Sequence, residues 1–176
     1  MSLLISPLSG IEQARACTTL MRGSEPWLTL GLPEGYEHRL VRGDWDVYVA
    51  RQGDEVCGFV ALDMNGPLRC YIALFAVAAG HRRRGVGRRL LEHAESLAFA
   101  VTSNVFLFVS SFNERAQAFY RRMGYRQVGD VPDLLVAGHS ELLLRKTRGP
   151  RTGQRSSDRH QDPVPQSAGI PENDSA

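Results

Sequence analysis

Between Leu74 and Leu91 the chain passes from an apolar run through a polar, glycine-bearing loop into an amphipathic stripe. Leu74 to Val77 reads as the end of a buried strand. Ala79 to Arg84 forms the loop, and Val86, Leu90, Ala94 and Leu97 then recur at helical spacing, with Leu91 and Ala98 widening the stripe. A strand feeding a helix through such a loop places the helix N-terminus, with its free N–H groups and positive dipole end, beside the strand's end. Gly85 and Gly87 let the backbone come close to an anion, and Arg82, Arg83, Arg84, Arg88 and Arg89 add positive potential. A diphosphate-bearing cofactor is the ligand this arrangement suits.

Two familiar phosphate loops do not fit. A dinucleotide fingerprint needs a third glycine where Leu90 stands, and a P-loop needs a lysine where the chain has none, its single lysine being Lys146.

The flanking sequence indicates a mixed α/β fold. Leu3 to Leu8 reads as a first strand, and Ser9-Gly10-Ile11-Glu12 as a capping box opening a helix with Ile11, Ala14, Cys17 and Met21 on one face. A short helix is expected around Tyr36 to Val41. Val47 to Ala50 and Val56 to Asp63 read as strands joined by a turn at Arg51-Gln52-Gly53-Asp54, and Asn65-Gly66-Pro67 is a further turn. Arg69 to Val77 is apolar enough to sit centrally in a sheet. Val105 to Val109 reads as another buried strand. Asn113 caps a second helix that ends at Gly124, with Tyr125 to Val128 and Glu141 to Arg145 as closing strands. Strand–helix alternation after initial hairpins gives a mixed sheet flanked by helices.

Composition bounds the rest. A length of 176 residues and 43% hydrophobic content suffice for one domain with its own core. Residues 147–176 lack aromatic residues, hold four prolines, and balance four arginines against four acidic residues, so they read as a disordered tail behind a folded domain of 1–146. A net charge of +2 argues against a general nucleic-acid or membrane-surface partner. No apolar stretch is long enough to cross a membrane, and the N-terminus lacks the pattern of a secretory signal. Cys17, Cys57 and Cys70 are odd in number and widely spaced, which suits neither a disulfide framework nor a metal site and fits a reduced, cytoplasmic protein.

The loop matches the pattern R/Q-x-x-G-x-G/A as Arg82-Arg83-Arg84-Gly85-Val86-Gly87. Downstream, Asn113-Glu114-Arg115-Ala116-Gln117-Ala118-Phe119-Tyr120-Arg121-Arg122-Met123-Gly124-Tyr125 matches N-x-x-A-x-x-F-Y-x-x-x-G-[FY] at every fixed position. Together, in this order and spacing, they resemble the GNAT superfamily, the GCN5-related N-acetyltransferases, over about Val47 to Arg145. The resemblance implies a mostly antiparallel sheet, splayed at a central slot that takes acetyl-CoA as co-substrate, with no metal. It implies that Phe75, Ala76 and Val77 line the slot with backbone groups, that Arg83, Arg84, Gly85, Val86, Gly87 and Arg88 hold the pyrophosphate, and that Asn113 contacts the pantetheine arm. Tyr120 matches the tyrosine that faces the CoA sulfur as general acid. Taken alone it would read as a core aromatic on a helix stripe. Trp27 and Trp45 fall where the family builds its acceptor pocket, and core packing explains them equally well.

One position departs from the pattern. In the ribosomal-protein branch a glutamate five residues before the asparagine acts as base, and Phe108 stands there. Asp63, Glu37 and Glu141 are candidate replacements, with a water relay as a further route. The resemblance thus implies acetyl transfer to a primary amine on a small molecule, a peptide N-terminus or a protein lysine, by direct attack in a ternary complex. The absent base leaves a non-catalytic CoA-binding regulatory domain as the alternative, and the arginine run leaves a nucleic-acid module as a third reading. Pairing into homodimers is common in the family.

Overall fold

The computed structural model describes residues 2–31 and 34–150. Its elements run β1 (Leu4–Pro7), α1 (Gly10–Arg22), α2 (Trp27–Leu30), α3 (Tyr36–Val41), β2 (Asp46–Gln52), β3 (Glu55–Asp63), β4 (Tyr71–Val77), α4 (Val86–Val101), β5 (Asn104–Ser110), α5 (Glu114–Arg122), β6 (Arg126–Pro132) and β7 (Ser140–Thr147). Among the described residues the seven strands form one sheet in the order β1-β2-β3-β4-β5-β7-β6. Every neighbouring pair is antiparallel except β4 and β5. The apolar run Arg69 to Val77 therefore yields the middle strand, as its composition requires.

Each face of the sheet buries a core. On one face, Leu90, Leu91, Ala94 and Ala98 of α4 lie fully buried against Cys57, Val60 and Leu62 of β3 and Val105 and Leu107 of β5. On the other, Ala14, Cys17 and Met21 of α1 pack against Val49, Phe59 and Ala61. The period-3.6 stripes seen in the sequence are thus the packing faces. Gly58 sets the spacing between layers. A Cβ there would lie 2.8 Å from the Ala76 carbonyl oxygen and 3.0 Å from Leu90 Cδ1, so glycine lets α4 settle onto the β3–β4 pair.

Local details differ from the sequence reading where side chains had a choice. The Ser9 N–H donates to Gln13 Oε1 at 2.8 Å, while Glu12 turns outward to pair with Arg15; only the return half of the box forms, one residue later than expected, and the Ser9 side chain makes no cap bond. The first strand is shorter than Leu3 to Leu8, and a helical turn at Trp27–Leu30 was not apparent in a punctuated stretch. Tyr125 precedes its strand instead of starting it, and β6 runs on to Pro132. Strand β7 extends to Thr147, and the Arg148 guanidinium stacks 4.1 Å over the Phe99 ring. Of the expected tail, residues 151–176 lie outside the described residues.

The far side of the sheet is tied by a part-buried ion pair. Lys146 Nζ on β7 donates to Glu95 Oε2 on α4 at 2.6 Å, and Tyr125 is sealed beside the same carboxylate. Burial, and then the charge of Glu95, push the Tyr125 phenol far above its ordinary range.

Two stability outcomes follow from these contacts. Gly58→Ala should destabilise the fold by about 1–3 kcal/mol through overpacking, read as a lower denaturation midpoint at unchanged m-value. Lys146→Met leaves the buried Glu95 carboxylate without its cation and should cost about 1–3 kcal/mol, whereas adding Glu95→Leu should recover most of that loss in the same urea titration.

Candidate active site

The site begins where two strands stop pairing. β4 and β5 are in register only at Tyr71 with Phe106 and Ile72 with Leu107, with one further bond from the Phe106 N–H to the Cys70 carbonyl at 3.2 Å. Beyond those rungs they part. The cause lies on the opposite edge of β4. Against β3, Leu62 faces Ile72 but Ala61 faces Leu74, which leaves Ala73 as an extra residue. The face alternation breaks at the same place, since Ala73 and Leu74 both pack toward the α1 core. A bulge of this kind bends its strand and strengthens its local twist, carrying Ala73–Val77 away from β5. The edge of β4 that faces β5 therefore carries backbone groups with no strand opposite them.

This parting opens a cavity of about 1470 Å³. Phe75, Ala76 and Val77 form one wall and Phe108, Val109 and Ser110 the other. Arg83, Gly85, Gly87 and Arg88 lie at the end where α4 begins, and Asn113 and Tyr120 of the α5 segment line it as well. The structure thus brings together most of the residues singled out from the sequence. Val86 and Arg84 are the exceptions. Val86 is buried beneath the helix in the core, and Arg84 is exposed outside the lining.

The loop conformation explains its composition. Arg83 adopts φ 62° and Gly85, the N-cap of α4, φ 84°; at Gly85 only glycine is unstrained. The first turn of α4 carries neither a side-chain cap nor an acidic residue, so its N–H groups face the cavity end free. Gly87 is different. A Cβ there would sit at ordinary contact distance, 3.5 Å from Val77 and 3.6 Å from Phe119, so the protein's own packing does not demand glycine. What its absence provides is close approach for an anion. The free N–H groups, the open Gly87 position and the guanidinium groups of Arg83 and Arg88 fit the diphosphate of an acyl-CoA.

Two of the loop arginines do other work. The Arg82 Nε donates to the Val77 carbonyl at 3.0 Å and its Nη2 to Ser24 Oγ at 2.8 Å, so it clamps the end of β4 to the segment after α1. Burial, reinforced by Arg115, lowers its pKa. Arg89 Nη2 reaches the Leu3 carbonyl at 3.2 Å. The sequence assigned both only positive potential beside the loop; their hydrogen bonds also fix the frame, and Arg82 lines the cavity as well.

Asn113 Oδ1 accepts from the Ala116 N–H at 3.2 Å, confirming the cap, while the residue also borders the cavity. Tyr120 is 7% exposed and packs among Phe75, Phe119 and Tyr125 with ring centroids 5.2–6.1 Å away. Burial, and secondarily Tyr71, raise its phenol well above the ordinary value, so it is held protonated.

Of the three candidate bases, Asp63 is a turn residue, its Oδ1 accepting from the N–H groups of Asn65 and Gly66 at 3.1 and 2.7 Å, and Glu37 lies outside the cavity lining. Glu141 is 5% exposed, lines the cavity and faces Ser110 across the β5–β7 ladder. Burial raises its carboxyl pKa, with the Ser110 hydroxyl acting in the opposite sense. Tyr71 was not anticipated. It stands at the apex of the slot, its ring 6.0 Å from that of Phe108, with its phenol pushed up to about 12 chiefly by burial. One aromatic in an apolar strand carries no signal of a site; only the parting of β4 and β5 reveals its place. Trp27 and Trp45 both line the cavity, and the Arg39 guanidinium sits 4.5 Å over the Trp45 ring.

Comparison with known proteins agrees with this geometry. The chain is 32% identical over 128 residues to an uncharacterized Mycobacterium leprae protein, ML0378, a match covering 70% of this chain but only 34% of that protein. It is 32% identical over 114 residues to the N-alpha-acetyltransferase RimI of Mycobacterium tuberculosis, covering 62% of this chain and 68% of RimI. Its fold superposes on an aminoglycoside 6'-N-acetyltransferase complexed with coenzyme A with a TM-score of 0.69, at 17% identity, covering 84% of this chain and 98% of that one. The acetyltransferase (GNAT) family pattern spans residues 11–125, and the chain belongs to that family.

Proposed function

We propose that the protein transfers the acetyl group of acetyl-CoA to a primary amine by direct attack in a ternary complex. One observation carries this reading: a single cavity holds the open edge of β4, the uncapped N-terminus of α4 with its arginines, and the buried phenol of Tyr120. A backbone N–H near Ala76 or Val77 supplies the hydrogen bond that the thioester oxygen needs as negative charge develops. Tyr120, kept protonated by its surroundings, donates to the departing thiolate.

The cysteines favour direct attack over a covalent acyl-enzyme. Cys17, Cys57 and Cys70 are buried free thiols outside the cavity lining. Burial pushes Cys17 up to about 12 and Cys70 up to about 11, far from the thiolate a nucleophile requires.

The amine acceptor is a small molecule, a peptide N-terminus or a protein lysine. Its nitrogen must lose a proton from an ammonium of pKa about 10.4 before it attacks.

Acetyl-CoA at about 100 times its Kd should stabilise the protein by roughly 2.7 kcal/mol, on the order of 5–10 °C in Tm, while NADH and ATP should not. Absence of that shift in folded protein would remove the cofactor assignment. Tyr120→Phe should lower kcat about 100-fold or more while keeping the acetyl-CoA shift; unchanged turnover would eliminate the acid role.

A further inference from the structure

The cavity has two chemically different ends. At the Val77 end lie the α4 N-terminus, Arg83 and Arg88. Tyr71 stands at the other end of β4, about 20 Å away for a seven-residue strand. Around Tyr71 the walls are aromatic. Phe108 meets it edge-on at 6.0 Å, Tyr36 is close enough to influence its phenol, and Arg39 bridges the Tyr36 and Trp45 rings at 5.8 and 4.5 Å. Elsewhere in the lining Leu28 and Leu135, 61% and 59% exposed, add apolar surface.

Charge narrows what this end can hold. The cavity lining carries six arginines against four glutamates and no aspartate or lysine. Glu25, Glu92 and Glu114 are exposed, and Glu25 is committed to Thr29 through bonds of 3.1 and 3.2 Å. Glu141 is the one buried carboxylate among the lining residues, and it pairs with Ser110, two residues beyond the Phe108 that meets Tyr71. A single buried carboxylate suits a single ammonium. A polycation would find no second buried carboxylate in the lining, and a flat apolar body would cover the aromatic rings there.

We propose that the Tyr71 end of the cavity binds the acceptor as one primary ammonium on a flat, aromatic-sized body, with Glu141 receiving that ammonium and taking its proton. This rests on the acetyl-transfer reading and deepens it. One ammonium proton passes to Glu141 and on to solvent. The freed amine attacks, the N–C bond forms, and the C–S bond breaks. Tyr120 protonates the thiolate, and its phenolate recovers the second proton lost by the acylated nitrogen, so the products are an amide, CoA thiol and one released proton. Glu141 thereby occupies the role left open by Phe108, from the strand on the other side of β5.

The test is CoA-thiol release from the full chain with 2-phenylethylamine, cadaverine, kanamycin and a lysine-containing peptide, alongside the acetyl-CoA melting shift. We expect kcat/KM for 2-phenylethylamine at least tenfold above the other three. Preference for kanamycin, cadaverine or the peptide overturns the acceptor class, as does turnover of none of them in protein that still shows the melting shift. Loss of the shift itself overturns the acetyl-transfer reading as well. Glu141→Gln should lower kcat/KM about 100-fold or more with the shift retained, and full activity in that variant overturns its role. Should that variant not fold, Trp45→Leu provides the independent check. It should raise KM for 2-phenylethylamine several-fold at similar kcat and leave cadaverine unaffected; equal effects on both amines count against the aromatic subsite.

Discussion

A one-residue mismatch in the β3–β4 ladder, at Ala73, shapes everything that follows in this molecule. Two parallel rungs, at Tyr71 and Ile72, hold β4 to β5, and the bulge then turns β4 away before a third can form. A sheet whose middle strands separate loses ladder hydrogen bonds and must hold the open form by other contacts. Those contacts are visible. Gly58 lets β3 and β4 seat closely under Leu90, Arg82 ties the Val77 carbonyl to Ser24, and Lys146 with Glu95 fastens β7 to α4 across the opposite half. The slot is a built feature, braced on both sides.

The bracing also places the chemistry. Because β4 leads directly into the loop and α4, the helix N-terminus lies at the far end of the open edge, and an extended cofactor arm can run along that edge with its phosphates on α4. Because α5 is capped by Asn113 just after β5, Tyr120 comes to rest against Phe75, on the wall opposite the diverging strand. The proposed donor site is thus one strand edge and two helix starts, and the proposed acceptor end is what remains between Tyr71, Phe108 and Glu141.

Much of this was legible in the sequence, for physical reasons. The helix stripes of α1 and α4, the Asn113 cap and the apolar middle strand are local periodic signals, and each became the element expected. The glycine–arginine loop was legible because the positive φ at Gly85 needs a residue without a side chain. What was not legible depends on partners distant in sequence. Arg82 and Arg89 look like their neighbours until Ser24 and Leu3 are brought beside them. Asp63, Glu37 and Glu141 were equivalent carboxylates until the β5–β7 pairing placed one of them, buried, in the cavity wall. Ser9 could engage either Glu12 or Gln13, and only the final backbone path chose Gln13.

In the proposed complex the unpaired edge of β4 receives the cofactor as a strand would. Hydrogen exchange of the Ala73–Val77 amides with and without acetyl-CoA tests it most directly, because those facing β5 have no strand opposite them and exchange readily in the free protein. Slowed exchange is expected on this segment and on the first turn of α4 when acetyl-CoA binds, with β1 and β2 unchanged. Binding that leaves the β4 amides unprotected, or protects a different surface, would contradict it.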